Sequence, residues 1–138
     1  MKRVTLILML VVLCFPTLVS AEERFIVGIK QHVGYGLMGP EVEREFVNRW
    51  SVSCGYGKKG ELAGVTLGLK RYLGSSGQRA YLGGFVTLTY DEGMEVSQPF
   101  ASIGYQWIWG RVCLSVEAGL GLFLVPKSLW GVGVGIMF

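Results

Sequence analysis

The sequence predicts an all-β protein: an eight-stranded antiparallel up-and-down transmembrane β-barrel, preceded by a cleavable signal peptide. Three observations carry this expectation. Apolar residues alternate with small or polar ones, period two, along one segment after another. Glycine makes up 21 of 138 residues and is spread along those segments, against about 7% in ordinary proteins. No segment beyond residue 21 offers eighteen consecutive apolar residues, so a spanning helix is not available.

The chain opens on Lys2 and Arg3, followed by an apolar run from Val4 to Val19 broken mainly by Thr5, Pro16 and Thr17. Val19-Ser20-Ala21 then supplies the small residues that a signal peptidase needs. Residues 1–21 therefore read as a secretory signal, carrying Cys14 with it, and residues 22–138 as one barrel domain. Of the 13 basic side chains, Lys2 and Arg3 leave with the signal, so the net charge falls from +3 to about +1. There is no concentrated basic stripe, which excludes nucleic-acid binding as an expectation. Two cysteines remain, Cys54 and Cys113, and the alternation sets them on opposite faces of the wall.

The elements follow in order. In residues 25–33, Phe25, Val27, Ile29 and Val33 oppose Gly28, Lys30 and His32. In residues 37–46, Pro40, Val42 and Phe46 oppose Glu41, Glu43 and Glu45. Gly34-Tyr35-Gly36 reads either as a turn between two strands or as the middle of one bent strand. Residues 50–57 set Trp50, Val52, Cys54 and Tyr56 against Ser51, Ser53 and Gly55. Residues 61–73 set Val65, Leu67 and Leu69 against Thr66, Gly68 and Lys70. Residues 79–90 set Leu82, Val86 and Leu88 against Tyr81, Gly83, Thr87 and Thr89. Residues 99–109 set Ala101, Ile103, Tyr105 and Trp107 against Ser102, Gly104 and Gln106. In residues 112–124 the period holds for thirteen positions, with Val112, Leu114, Val116, Ala118, Leu120, Leu122 and Leu124 on one face and Cys113, Ser115, Glu117, Gly119, Gly121 and Phe123 on the other. The last strand alternates Trp130, Val132, Val134, Ile136 and Phe138 with Gly131, Gly133, Gly135 and Met137.

Topology fixes the count. If the last strand ends on the periplasmic side, connections near 126–127, 91–95 and 57–60 face outward, and those near 110, 74–78 and 47–49 face the periplasm. An amino-terminus on the periplasmic side then needs residues 24–33 as an upward strand, giving an even total of eight. That leaves about fifteen residues per strand and turn, enough for spanning strands of about 9–11 residues with short loops.

A water-soluble barrel would alternate too, with its apolar face inward. The second face decides. It is mostly Gly, Ser and Thr, and glycine is a weak choice for a solvated strand position. It suits the crowded inside of a narrow barrel filled by side chains. Aromatics gather at both strand ends: Phe46, Trp50, Trp107 and Phe138 at one, Tyr56, Tyr90 and Trp130 at the other, as lipid interfaces select.

On these residues, with the hairpin GYQWIWGRVCLSVEAGLGLF at 104–123 and the ending WGVGVGIMF, the chain resembles the small outer-membrane β-barrel proteins of Gram-negative bacteria. That class includes the OmpA transmembrane domain, OmpX and the lipid A-modifying barrels. The resemblance implies the bacterial outer membrane as location, and outer-membrane lipids and lipopolysaccharide as partners. It also implies recognition by the barrel assembly machinery through the strand ending at Phe138, with Ile136 and Val134 at alternate positions before it.

Candidate chemistry is sparse. His32 is the only histidine. A deacylase-type pair would want a serine two residues on, and Gly34 stands there. Glu41, Glu43 and Glu45 form an acidic stripe whose neighbours lie about 6.7 Å apart, too far for all three to hold one ion. Pairing with Lys30, Lys70 or His32, joined by Glu117, is the expectation, since a buried unpaired charge is costly. Lys58, Lys59 and Lys127 are turn lysines able to meet lipopolysaccharide phosphates. No catalytic, cofactor-binding or metal-ligating residue is expected, and no cofactor. The expected function is a monomeric, non-enzymatic envelope-maintenance barrel. The alternatives are a lipid A- or phospholipid-modifying enzyme, a narrow porin-like pore for solutes or ions, and a periplasmic lipocalin-like carrier.

Overall fold

A computed structural model describes residues 24–32, 35–46, 49–74, 77–91, 94–121 and 130–138. The expected signal peptide, Lys127 and the connection at 126–127 lie outside these residues. Eight strands run in chain order: β1 (Arg24–Gln31), β2 (Met38–Glu45), β3 (Trp50–Lys59), β4 (Leu62–Leu73), β5 (Gln78–Asp91), β6 (Met94–Trp109), β7 (Val112–Gly121) and β8 (Trp130–Met137). Each pairs antiparallel with the next, and β8 pairs with β1, closing the barrel. Residues 24–46 thus form two strands. The Gly36 N–H donates to the His32 carbonyl and the His32 N–H to Leu37, which turns the chain back between them.

Closure comes from the two ends of the sheet. The Phe138 N–H donates to the Phe25 carbonyl at 2.8 Å, and the Phe25 N–H returns the bond at 3.1 Å. This end of the barrel, the terminal end, also carries the connections at 46–49, 74–77 and 110–111. The far end carries those at 32–37, 60–61 and 92–93. The hairpins at Gly60 and Gly110 are two-residue loops, with φ of 61° and 59° at the first loop position, the conformation that glycine supplies in a type II′ turn.

Alternation sorts the side chains as the sequence predicts. Outward stand Val27, Ile29, Leu69, Leu82, Ile103, Val116, Leu120, Val134 and Ile136, all exposed. Inward stand Lys30, Glu41, Glu43, Glu45, Ser51, Lys70, Arg79, Gln106 and Glu117, all buried. The buried interior is therefore polar and the accessible wall apolar, the reverse of a water-soluble barrel. Cys54 faces out between its strand neighbours and Cys113 faces in; both are free thiols.

Two details depart from expectation. β5 and β6 stay paired up to Asp91 opposite Met94, so the broad connection expected at 91–95 is replaced by strand. Over residues 94–97 the apolar positions, Met94 and Val96, fall on even numbers whereas those of 99–109 fall on odd ones, but a backbone ladder does not need the phase to hold. The lumen is also less uniformly small and polar than expected, because Leu37, Phe85 and Phe100 point into it and are buried.

Candidate functional site

The chemistry-bearing side chains of this chain converge in the lumen. Five strands contribute to its central charged cluster: Lys30 from β1, Glu41 and Glu43 from β2, Lys70 from β4, Tyr81 from β5 and Glu117 from β7. Each is placed by strand parity, so the inward odd positions of β2 deliver Glu41, Glu43 and Glu45 along one line.

Glu41 is the hub. Its carboxylate accepts from Lys70 Nζ at 3.2 Å, lies 3.6 Å from Lys30 Nζ, and faces His32 Nδ1 at 3.4 Å. Lys30 Nζ is also 3.1 Å from Glu117. Glu43 accepts from Lys70 Nζ, from the Tyr72 hydroxyl, and from Ser51 Oγ at 2.7 Å. The Tyr81 hydroxyl donates to Glu117 at 2.9 Å. Every carboxylate in the cluster therefore faces at least one cation, the condition under which buried charge is tolerated.

A second cluster lies nearer the terminal end. Arg79 Nη1 donates to Glu45 at 2.8 Å and Arg79 Nε to Gln106 at 2.9 Å. Its guanidinium lies 3.6 Å from the centre of the Tyr72 ring, and Tyr72 and Tyr81 pack edge to face at 5.5 Å. Toward the far end the filling is apolar and hydroxylic: Leu37, Phe85 and Phe100, with Thr66 and Thr87 hydroxyls 3.1 Å apart.

Interior glycines make room for these side chains. A Cβ on Gly68 would stand 2.5 Å from the Phe85 ring, and one on Gly83 2.6 Å from it. A Cβ on Gly55 would stand 2.6 Å from His32, and one on Gly104 would overlap the Tyr81 ring. These interior glycines are slots beside the large groups, Gly68 and Gly104 standing directly opposite Phe85 and Tyr81 on the neighbouring strand. Beside Lys30, Glu41, Glu43, Lys70, Gln106 and Ser115 lies a cavity of about 30 Å3, room for a water molecule or two.

The structure brings together most of the residues singled out from sequence. Lys30, His32, Glu41, Glu43, Lys70 and Glu117 meet in one network, while Glu45 leaves it for Arg79. Arg79, Tyr72, Tyr81 and Ser51 were not foreseen as members. Lys58 and Lys59 lie apart, exposed at the far end of β3. His32 Nε2 has no hydrogen-bond partner among the described residues, so no serine is joined to it as a nucleophile. Nor does any group of three His, Cys, Asp or Glu side chains among them converge as metal ligands would.

No protein-family model and no curated protein matches this chain. Among solved structures, the crystal structure of the N-terminal β-barrel domain of Pseudomonas aeruginosa OprF is similar. It superposes with a TM-score of 0.58 over 84% of this chain and 96% of that one, at 16% sequence identity. At that identity the likeness speaks to fold: the two share the eight-stranded antiparallel barrel.

Proposed function

We propose that this chain is a small integral protein of the bacterial outer membrane, monomeric and non-enzymatic, whose barrel serves a structural role in the envelope. The observation that carries this reading is the outer wall. Ile29, Leu82, Ile103, Leu120 and Val134 are each more than half exposed on a closed barrel whose buried face is charged. Covering the exposed half of such a side chain with hydrocarbon is worth about 1 kcal/mol or a little more relative to water, so a lipid belt gains many times that over the wall.

The filled lumen supports the structural part. Lys70, Glu43, Tyr72 and Tyr81 cross it at mid-height, joined to one another and to Glu117 by ion pairs and hydrogen bonds, which favours a filled barrel over a conducting one. The partners of this reading are outer-membrane lipids and lipopolysaccharide around the wall. The barrel assembly machinery would read the strand ending in Val134, Ile136 and Phe138, all facing out.

Fractionation of cells expressing the full chain tests it. The reading expects the protein in outer-membrane vesicles after a carbonate wash, with faster gel mobility before boiling, and an unchanged lipid A mass spectrum relative to cells lacking the gene. Release by carbonate contradicts the membrane assignment. New lipid A species contradict the non-enzymatic one.

A further inference from the structure

Two buried polar atoms stand unsatisfied beside the small cavity in the lumen. Lys30 Nζ lies within ion-pair distance of Glu117 and Glu41, at 3.1 and 3.6 Å. The Glu117 oxygen is off its hydrogen-bonding direction and the Glu41 oxygen is too far. Nζ therefore has no hydrogen-bond partner among the described residues. Glu41 Oε1 accepts from Lys70, while Oε2 faces His32 Nδ1 at 3.4 Å and has no hydrogen-bond partner among them either. Lys30 is 4% exposed and Glu41 7%, so bulk solvent does not serve these atoms.

Both side chains line the cavity of about 30 Å3. Gly28 on β1 and Gly133 and Gly135 on β8 form part of its wall, with Ser115 on β7 beside them. An unmet buried donor or acceptor is costly, and a polar cavity next to two of them is where proteins hold internal water.

Size and charge select the occupant. The volume admits one or two water-sized molecules. In the surrounding cluster the carboxylates of Glu41, Glu43 and Glu117 outnumber the ammonium groups of Lys30 and Lys70, which disfavours an anion. The unmet group on the β1 side is an ammonium donor, which repels a cation and requires a lone pair. A neutral molecule that both accepts and donates fits both sides.

We infer that a structural water occupies this cavity, accepting from Lys30 Nζ and donating to Glu41 Oε2, and so joins the Lys30–Glu117 pair to the Glu41 hub. Nζ stands 3.6 Å from the other oxygen of the same carboxylate, a separation that one water at about 2.8 Å from each atom bridges. The water supplies bond directions that the side chains of β1 and β2 do not supply to each other. The inference stands on the lumen alone and does not use the membrane reading.

Two measurements on the full chain refolded in detergent micelles test it, with folding read from gel mobility before boiling. A crystal structure should show a density peak about 2.6–3.2 Å from both Lys30 Nζ and Glu41 Oε2. Oxygen-17 relaxation dispersion of the solvent counts long-lived waters through the water oxygen itself, so the labile protons of lysine and tyrosine do not enter. Ser115→Thr sets one extra methyl group against the cavity and should remove about one long-lived water per barrel. Should it fail to fold, Lys30→Met removes the donor and should lose the same water; if neither folds, the wild-type density decides. No peak between the two atoms overturns the inference. An unchanged water count with a raised urea midpoint in Ser115→Thr, the result of filling a dry void, overturns it too. So does a peak that soaked rubidium replaces, seen by anomalous scattering, because the occupant would then be a cation.

Discussion

The Lys30 ammonium and the Glu117 carboxylate meet 3.1 Å apart although a whole strand, β8, separates β1 from β7. They meet because β8 presents glycines beneath them. Gly133 lies opposite Lys30 and Gly131 opposite Glu117. A Cβ on Gly133 would stand 3.1 Å from the Lys30 stem, and one on Gly131 3.1 Å from the Glu117 carboxylate. The glycine side of the final strand is thus the floor over which a buried ion pair is formed.

That relationship makes the pair cooperative. Lys30→Met should destabilise the barrel by about 3 kcal/mol, because it leaves the buried Glu117 carboxylate without a cation, and Glu117→Leu by somewhat less, because Glu41 still faces Lys30 at 3.6 Å. The double variant should cost clearly less than the sum. Urea unfolding of the four proteins, read from the folded and unfolded gel bands, gives the coupling. Simple additivity would mean that Glu41 alone neutralises Lys30.

Two glycines should respond oppositely to one added methyl group. Gly104→Ala forces a Cβ into the Tyr81 ring, which is pinned by Glu117, and should cost about 1–3 kcal/mol. Gly84 faces outward with open space around the position of a Cβ. Gly84→Ala should be neutral or stabilising by about 0.5 kcal/mol. Equal effects in the same unfolding assay would refute the slot description of the interior glycines.

Arg79→Lys should behave as a disruptive change despite keeping the charge. A lysine cannot donate at once to Glu45 and Gln106 while lying flat on Tyr72. The expected loss is about 1–3 kcal/mol in unfolding free energy. Retention of wild-type stability would show that position 79 needs only a positive charge.

The strand count, the two faces and the destination of Lys30, Glu41, Glu43, Lys70 and Glu117 were legible because period-two alternation is a local property. Arg79 shares parity with Tyr81 and Gly83, so its inward side was readable. Its partner was not, since Glu45 lies across two intervening strands and only barrel closure and register bring them together. Glu117 shows the same limit: parity put it in the lumen, while closure through β8 chose Lys30 as the cation in contact. Leu37 was hidden for another reason. It comes from a connection, and its burial against Gly57 and Gly64 follows from the fold of the 32–37 turn rather than from any strand pattern.

The most direct measurement of the central claim is the collision accessibility of a nitroxide on the outer wall. In a Cys54→Ser/Cys113→Ser background, single cysteines at Leu82, Ile103 and Leu120 would be spin-labelled and the barrel folded into vesicles. The account predicts frequent collisions with oxygen, which dissolves in hydrocarbon, and rare collisions with a water-soluble nickel chelate, with a label at Lys59 showing the reverse. Nickel collisions at Leu82, Ile103 and Leu120 as frequent as at Lys59 would place that wall in water and contradict it.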